Sequence, residues 1–305
     1  MNVAEIVGVA ALASLQGALV ALPDASALGC LRRVRSPAWA MLPPGMILVG
    51  TFGVLGLPAT AVGLVTLAAI ATPLLAAISA LVVVRVPPAL RGRRAALVSG
   101  IAALMALAVA ADGWVAELAA TLMTAAGCLA LGVGIVRLIP QRWLPASMLA
   151  TAAVDAALLA LGPGHSAIGA MADAQGHFRG PAFDSATVGP ISIDYPDLVL
   201  AAILGGTAAD DRARQRRAAM LLTALAGLCG LLLPVVHILP ATVPIALTYF
   251  LLPRAGSPGR ARDLLQQADA TLMRRLGTQH GGSAIGDAPL RRRRPVRGGF
   301  VGRGA

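Results

Sequence analysis

Long apolar runs separated by short polar segments dominate the hydropathy pattern of this chain. About nine of them approach the ~20 residues with which an α-helix crosses a hydrocarbon core of ~30 Å. They predict spans at 3–22, 38–56, 58–84, 96–111, 114–138, 145–162, 189–208, 218–236 and 238–253. The first run has no basic leader and is followed by further runs, so we do not expect a cleaved signal peptide. The pattern predicts an all-α, polytopic membrane helix bundle with about nine transmembrane helices.

Composition agrees with a membrane location for most of the chain. Of the 305 residues, 57% are hydrophobic and 13% are charged, whereas a soluble domain has about 25% charged residues. The mean hydropathy is +0.77. Aromatic residues make up only 3%, while Ala and Gly are abundant, and small residues let helices approach closely in lipid. An ordinary soluble globular domain is therefore excluded.

The basic residues predict an orientation. All 25 are arginine, and outside the C-terminal tail thirteen follow the first, third, fifth and seventh spans, whereas one, Arg179, follows the sixth. The positive-inside rule assigns the basic side to the cytoplasm. We therefore expect the N-terminus outside, the C-terminus in the cytoplasm and an odd number of spans, in a bacterial plasma membrane. Because the charge of +11 follows this alternation, we expect no nucleic-acid partner.

The segment 254–305 differs in composition from the predicted transmembrane domain, 1–253. It is rich in Gly and Arg and includes four consecutive arginines from Arg291, which predicts a mostly disordered cytoplasmic tail. A short amphipathic helix is predicted from Arg262 to Leu276. We expect the tail to contact anionic lipid head groups, and a tail that only solubilises the chain and sets its topology is the alternative.

Few residues outside the spans indicate chemistry. The outer segment 163–188 is rich in Gly and Pro and is predicted to be a long loop, in which His165 and His177 are solvated. Cys30, Cys128 and Cys229 have no paired spacing and are predicted to be small buried residues. The chain has no phosphate-binding glycine loop, no G-x-S-x-G, no HExxH and no Cys/His cluster. We therefore expect no metal and no cofactor.

Acidic residues inside the predicted spans are the informative feature. A carboxylate at the middle of a span costs about 2.5–3.5 kcal/mol to insert and marks a candidate functional site. Asp155 lies well inside 145–162, while Asp194 and Asp197 lie in 189–208. At 1.5 Å per residue, Asp155 and Asp197 are roughly 10 and 12 Å below the outer face, and Asp194 roughly 7 Å. Two carboxylates that meet in a low-dielectric site share a proton and can activate water without a metal.

Three short motifs resemble those of presenilins and signal peptide peptidases, which are nine-span intramembrane aspartyl proteases. Val154-Asp155 stands where that family has Tyr-Asp in its sixth span, and Asp194-Tyr195-Pro196-Asp197 stands where it has Gly-x-Gly-Asp in its seventh. Pro240-Ala241-Thr242 stands where it has Pro-Ala-Leu at the start of its ninth. The resemblance covers 145–253, but the tyrosine, both glycines and the leucine of the family are replaced.

This resemblance implies a reaction and a set of site residues. Asp155 and Asp197 would be the catalytic dyad, with Asp194 as a substitute for Asp197, and the substrates would be transmembrane peptides. Pro196 would loosen the seventh span as a glycine does, because it removes a backbone hydrogen bond. The residues expected to shape the site and to hold substrate are Tyr195, Pro196, Pro240, Ala241 and Thr242.

Two other functions use the same aspartates. A proton- or cation-coupled transporter would use them as carriers, and helices broken by proline suit that role. A non-catalytic multi-pass scaffold would hold them protonated and hydrogen-bonded between helices, although such bonds average below about 1 kcal/mol in lipid. The sequence leaves these alternatives, and the oligomeric state, open.

Overall fold

Helices make up nearly all of the chain that the structure describes. A computed structural model describes residues 2–84, 94–178, 180–236 and 242–252. The predicted tail at 254–305, with its amphipathic helix, lies outside these residues, and so do Pro240 and Ala241.

The α-helices of the described residues are α1 (Val3–Ala21), α2 (Leu42–Gly56), α3 (Pro58–Ile78), α4 (Arg94–Ala110), α5 (Trp114–Leu138), α6 (Leu144–Leu161), α7 (Pro163–His177), α8 (Tyr195–Ala208), α9 (Arg212–Val236) and α10 (Thr242–Leu251). An antiparallel hairpin of β1 (Ser185–Val188) and β2 (Ile191–Asp194) precedes α8. A π-helical turn, Ser79–Val83, continues α3, and short 3₁₀ segments occupy Gly29–Val34, Pro37–Met41 and Gln141–Trp143.

Five helical segments in the described part of the chain are long and apolar enough to cross a membrane. They are Val3–Ala21, Pro37–Gly56, Ala59–Val83, Trp114–Leu138 and Gln141–Leu161. Shorter apolar helices cover Ala96–Ala110, Tyr195–Ala208 and Thr242–Leu251. Large apolar side chains on α2 and α3 point outward, as Val49 and Leu74 do with 75% and 63% exposure, where lipid would cover them. The chain is thus a multi-pass helical membrane protein.

Close contacts between small residues hold the centre of the bundle together. The middle of α5 packs against α8 at Gly132, where an added Cβ would lie 2.6 Å from Ala202 Cβ and 2.7 Å from Val199 O. The other face of α8 meets α1 at Gly205, where a Cβ would lie 2.6 Å from Val20 O. In lipid, helices associate through close van der Waals contacts of this kind and not through the hydrophobic effect.

Arg137, in the last turn of α5, is buried and binds the connection that follows α1. Its Nη2 donates to Ala25 O at 2.6 Å and its Nε donates to Ala27 O at 2.9 Å. The guanidinium therefore ties the end of α5 to the first connection, and its charge is balanced by backbone carbonyl dipoles.

Two further hydrogen bonds bring more helix ends to the same place. The backbone N–H of Asp24 donates to Val83 O at the end of the π-helical turn, at 3.1 Å. Arg212, at the start of α9, donates from Nη1 to Ala21 O at 3.2 Å. The ends of α1, α3 and α5 and the start of α9 therefore meet at one end of the molecule.

The region between α6 and α8 differs from the prediction in two ways. The segment 163–188 is not a long loop, because Pro163–His177 forms α7 and Ser185–Val188 forms β1. The predicted span 189–208 also starts at the wrong residue, because its helix, α8, begins only at Tyr195. Gly189, with φ of +61°, turns the chain between the strands, a left-handed conformation that glycine adopts without strain.

This hairpin lies alongside the helices rather than beyond their ends. The hydroxyl of Thr121 donates to Thr187 O at 2.8 Å and accepts from Thr187 N at 3.0 Å. Val188 approaches Gly8, where an added Cβ would lie 2.7 Å from its carbonyl oxygen. Thr121 is about 10 Å past the start of α5 and Gly8 about 8 Å past the start of α1. Non-helical backbone at membrane depth requires protein packing or a water-filled cavity around it, and these contacts with α1 and α5 provide such packing.

The cysteines are only partly as predicted. Cys128, on α5, is buried, and Cys229, on α9, is half-buried. Cys30 is exposed, because it belongs to the 3₁₀ segment that follows α1 and not to a helix in the bundle.

Candidate active site

Asp155 lies within α6 and touches the start of α10. It is six residues before the last residue of its helix, so its Cα is roughly 9 Å from that helix end. Its carboxylate Oδ2 accepts a hydrogen bond of 2.8 Å from Thr242 Oγ1. Thr242 is the first residue of α10 and is 1% exposed. The predicted substrate-binding threonine therefore contacts the first predicted catalytic aspartate.

Asp197 lies in the first turn of α8 and belongs to the same cluster. It is the third residue of that helix, where backbone N–H groups lack helical partners and the helix dipole favours a negative charge. Its carboxylate is near enough to those of Asp155 and Asp194 to interact with both electrostatically. Asp155 of α6 and Asp197 of α8 are thus within electrostatic range of each other, and the hydrogen bond of Asp155 is made to Thr242.

Asp194, the last residue of β2, precedes α8 without capping it through its side chain. Solvent reaches part of this side chain, but the surrounding protein still desolvates the carboxyl. Burial raises the pKa of Asp194, and repulsion from Asp184 and Asp155 raises it further. The carboxyl of Asp194 therefore retains a proton at a higher pH than an ordinary aspartate does.

Asp184 is a fourth carboxylate near this site, and the sequence analysis missed it. It directly precedes β1, and its carbonyl oxygen accepts a 3.1 Å hydrogen bond from the backbone N–H of Tyr195. Burial raises the pKa of its carboxyl, whose Oδ1 has no hydrogen-bond partner among the described residues. In the sequence, Asp184 stands in the segment 163–188, which is predicted to be a loop. Only the prediction of a hairpin there would have marked Asp184 as a candidate site residue.

The remaining predicted residues have different positions. Pro196 is exposed in the first turn of α8, where no helical N–H bond is lost, so the expectation that it loosens the helix is wrong. Tyr195 packs on the apolar core, and its carbonyl oxygen lies 3.7 Å from Cys128 Sγ. The predicted roles of Pro240 and Ala241 concern residues outside the described part of the chain.

Neither a metal site nor a relative identifies the chemistry. His165 and His177 are exposed on α7, and within the described ranges no three His, Cys, Asp or Glu side chains are placed to hold one metal ion. Comparisons with protein-family models, with curated proteins and with solved structures find no match to this chain. The likeness to presenilins and signal peptide peptidases stays a resemblance between short motifs.

Proposed function

We propose that this protein is an intramembrane aspartyl protease that cleaves membrane-spanning segments with Asp155 and Asp197. The observation that carries the proposal is that these two carboxylates, on different helices of an apolar bundle, lie within electrostatic range of each other. The hydroxyl of Thr242 holds one of them. Carboxylates are costly at membrane depth, and a pair of them is retained where it performs chemistry.

The pair provides the acid and the base that peptide hydrolysis needs. Two neighbouring carboxylates of this kind hold about one proton between them. The ionised member removes a proton from a water molecule, whose oxygen attacks the carbonyl carbon of the peptide, while the protonated member donates to the carbonyl oxygen. The tetrahedral diol then collapses, the C–N bond breaks, and the amine nitrogen receives the proton that came from water.

The hairpin has features that would supply water to this reaction and bind an extended substrate. Asp194, at the end of β2, is exposed, so water can reach this end of the hairpin. Among the described residues β2 pairs only with β1, so its second edge carries backbone groups that an extended peptide can pair with. A transmembrane helix that unwinds beside β2 would recover hydrogen bonds that it loses on unwinding.

We infer nine spans with the N-terminus outside, in a bacterial plasma membrane. Support comes from the shared end at which the ends of α1, of the π-helical turn after α3 and of α5 meet the start of α9. In the sequence, the arginine-rich segments follow the first three of these elements and begin the fourth. The hairpin contacts α1 and α5 near their other ends. This orientation would turn the Asp194 end of β2 to the outer side of the membrane and would put the basic tail on the inner side, where anionic lipid lies.

The test uses isosteric variants with a reporter in proteoliposomes. Asp155→Asn and Asp197→Asn should each lower the rate of cleavage of a transmembrane reporter peptide at least ~100-fold, because each removes a general acid or base. Asp194→Asn should retain most of the activity. Undiminished cleavage by Asp155→Asn would sink the proposal. Loss in Asp194→Asn together with retention in Asp197→Asn would move the second catalytic role to Asp194.

A second candidate, a proton- or cation-coupled transporter, is favoured by one observation. Asp184 and Asp194 add two carboxylates to the dyad and interact with each other, and linked carboxylates at membrane depth also suit a proton relay. The same proteoliposomes, loaded with a pH-sensitive dye and without peptide, distinguish the two functions. Proton uptake that Asp184→Asn abolishes, with no cleavage in any variant, would favour the transporter.

A further inference from the structure

Gln16 is a buried polar residue that no hydrogen bond in the described structure explains. It lies thirteen residues into α1 and is 1% exposed. Neither its Oε1 nor its Nε2 has a hydrogen-bond partner among the described residues. Buried side-chain amides are nearly always paired, so an unpaired one calls for a specific explanation.

Gln16 lines a cavity of about 120 Å³ beside the hairpin. The walls come from α1, β2, α9 and α10, with Ile191 and Ile193 on the strand side, Cys229 on α9 and Pro244 on α10. An apolar cavity of about 150 Å³ accepts benzene. The cavity here therefore has room for a branched aliphatic side chain of about four carbons.

The cavity and the candidate site share two elements, β2 and α10. Ile193, in its wall, directly precedes Asp194, and Pro244, also in its wall, stands two residues after Thr242. The cavity also extends along β2, the strand whose second edge is unpaired among the described residues. Because successive residues of a strand face opposite sides, an extended peptide along β2 would place one side chain in the cavity and the next one on the side of Asp194.

The chemistry of the cavity matches a residue of a peptide better than it matches water. The polar side chains of the walls are Gln16, Ser192 and Cys229, and the remaining walls are apolar, so water can pair with the polar groups but leaves the apolar walls without a partner. A carboxamide offers one acceptor and two donors. An extended peptide residue presents one N–H and one C=O together with an apolar side chain, which satisfies both the amide and the walls.

Building on the proposed protease, we propose that this cavity is a specificity subsite for one Val, Leu or Ile of an unwound transmembrane substrate. Gln16 Oε1 accepts a hydrogen bond from the backbone N–H of the substrate, and Gln16 Nε2 donates to its backbone C=O. The subsite thereby selects an aliphatic residue near the scissile bond and fixes the register of the peptide along β2.

The native thiol in the wall allows a binding test that needs no cleavage. The probe is a synthetic transmembrane peptide of about 20 Leu and Ala residues with one cysteine moved along its sequence. The protein carries Asp155→Asn to prevent cleavage and Cys30→Ser to remove the exposed thiol, while buried Cys128 stays. Disulfide formation between the peptide and Cys229 under mild oxidation, in vesicles, reports which peptide position occupies the cavity.

We expect cross-linking at one peptide position or two neighbouring ones, and a loss of about three- to tenfold in Gln16→Leu, the range that one hydrogen bond accounts for. Ser14→Leu is the matched control, because Ser14 lies on the same helix but is exposed and bonds back to Ala10 O. It should cross-link as the parent does. Gln16→Leu removes an unpaired amide, so its melting temperature without peptide should not fall.

Two results would overturn the subsite. Equal cross-linking at all peptide positions would show that Cys229 does not report a defined register, and unchanged cross-linking in Gln16→Leu would show that the amide holds no peptide. Failure of the protease proposal looks different, because protein with Asp155 intact would then leave the peptide uncut while the position-specific pattern remained. The binding and cleavage results therefore judge the two proposals separately.

Discussion

The hydroxyl of Thr242 donates a 2.8 Å hydrogen bond to the carboxylate of Asp155. This bond joins the first residue of α10 to the middle of α6, and both residues lie in the apolar bundle. A hydroxyl donor stabilises the ionised carboxylate and restrains the rotamer of Asp155. Thr242 is therefore expected to position the dyad without taking part in proton transfer.

Thr242→Val should lower the rate of reporter cleavage by roughly 10- to 100-fold, since a hydrogen bond to a charged group contributes about 1.5–3 kcal/mol and 1.4 kcal/mol is about tenfold in rate. Thr242→Ser keeps the donor and should recover most of the rate. Single-turnover cleavage in proteoliposomes separates this effect from substrate binding.

Thr248→Val is the control, because that buried hydroxyl bonds within its own helix to Pro244 O at 2.7 Å. Its cleavage rate should stay close to that of the parent protein. A rate for Thr242→Val equal to that of the parent would show that the contact with Asp155 has no part in catalysis.

The carboxyl of Asp184 predicts a pH dependence of stability. Burial raises its pKa in the folded state, while the unfolded chain keeps the ordinary value of about 3.9. Between these two values the folded state binds more protons, so the free energy of unfolding falls as the pH rises and is constant outside that window. The contribution of Asp184 is therefore most favourable in acid.

Asp184→Asn should remove this contribution. The variant should unfold at a higher temperature than the parent above the window, and the difference should shrink as the pH falls toward 4. Thermal unfolding in detergent between pH 4 and 8 measures the effect, and Asp173→Asn, which alters an exposed residue on α7, is the control. Parallel curves for parent and Asp184→Asn would refute the assignment.

Apolar run length predicted most helices well because a membrane allows few alternatives. The predicted span at 114–138 coincides with α5, and the span at 3–22 differs from α1 by one residue. In lipid every backbone group needs an internal partner, so a run of this length has to be helical where it contacts lipid. Because of that constraint, the length of an apolar run predicts a helix even where its side chains show little helical periodicity.

The same constraint explains why the hairpin was missed. Segment 185–194 is apolar enough to extend the next span, yet it carries β-branched residues on both sides of Gly189-Pro190, which is a hairpin signal. The pairing with Thr121 of α5 shelters its backbone from lipid, and no local pattern reveals a contact of that range. The dyad could be predicted from charge, depth and the motif resemblance together, whereas Gln16 carries no charge and no motif surrounds it.

Gly132 should be intolerant of a larger side chain. A Cβ there would lie 2.6 Å from Ala202 Cβ and 2.9 Å from Ile203 N, and the backbone of α8 cannot give way as a flexible side chain can. Gly132→Ala should push α8 away from α5 and lower stability by about 1–3 kcal/mol, the usual cost of overpacking. Because Asp197 is on α8, cleavage should fall together with the melting temperature.

Gly134→Ala is the matched control on the same helix. The nearest atoms to a Cβ at Gly134 would be side-chain methyls of Leu28 and Leu31, both at 3.8 Å, which is ordinary contact. This variant should melt at the parent temperature or slightly above it, since alanine favours helix by up to about 1 kcal/mol relative to glycine. Equal melting temperatures for the two variants would contradict the close packing of α5 on α8.

Cys30 makes the orientation of the whole bundle measurable without engineering a new probe. It is exposed in the arginine-rich connection after α1, which the positive-inside rule assigns to the cytoplasm. A membrane-impermeant maleimide should therefore leave Cys30 unmodified in intact cells and label it in inverted vesicles. Ser166→Cys, at an exposed position on α7 toward the opposite side, should show the reverse pattern in a Cys30→Ser background. Labelling of Cys30 from outside would invert the proposed topology and would turn the Asp194 end of β2 to the cytoplasm.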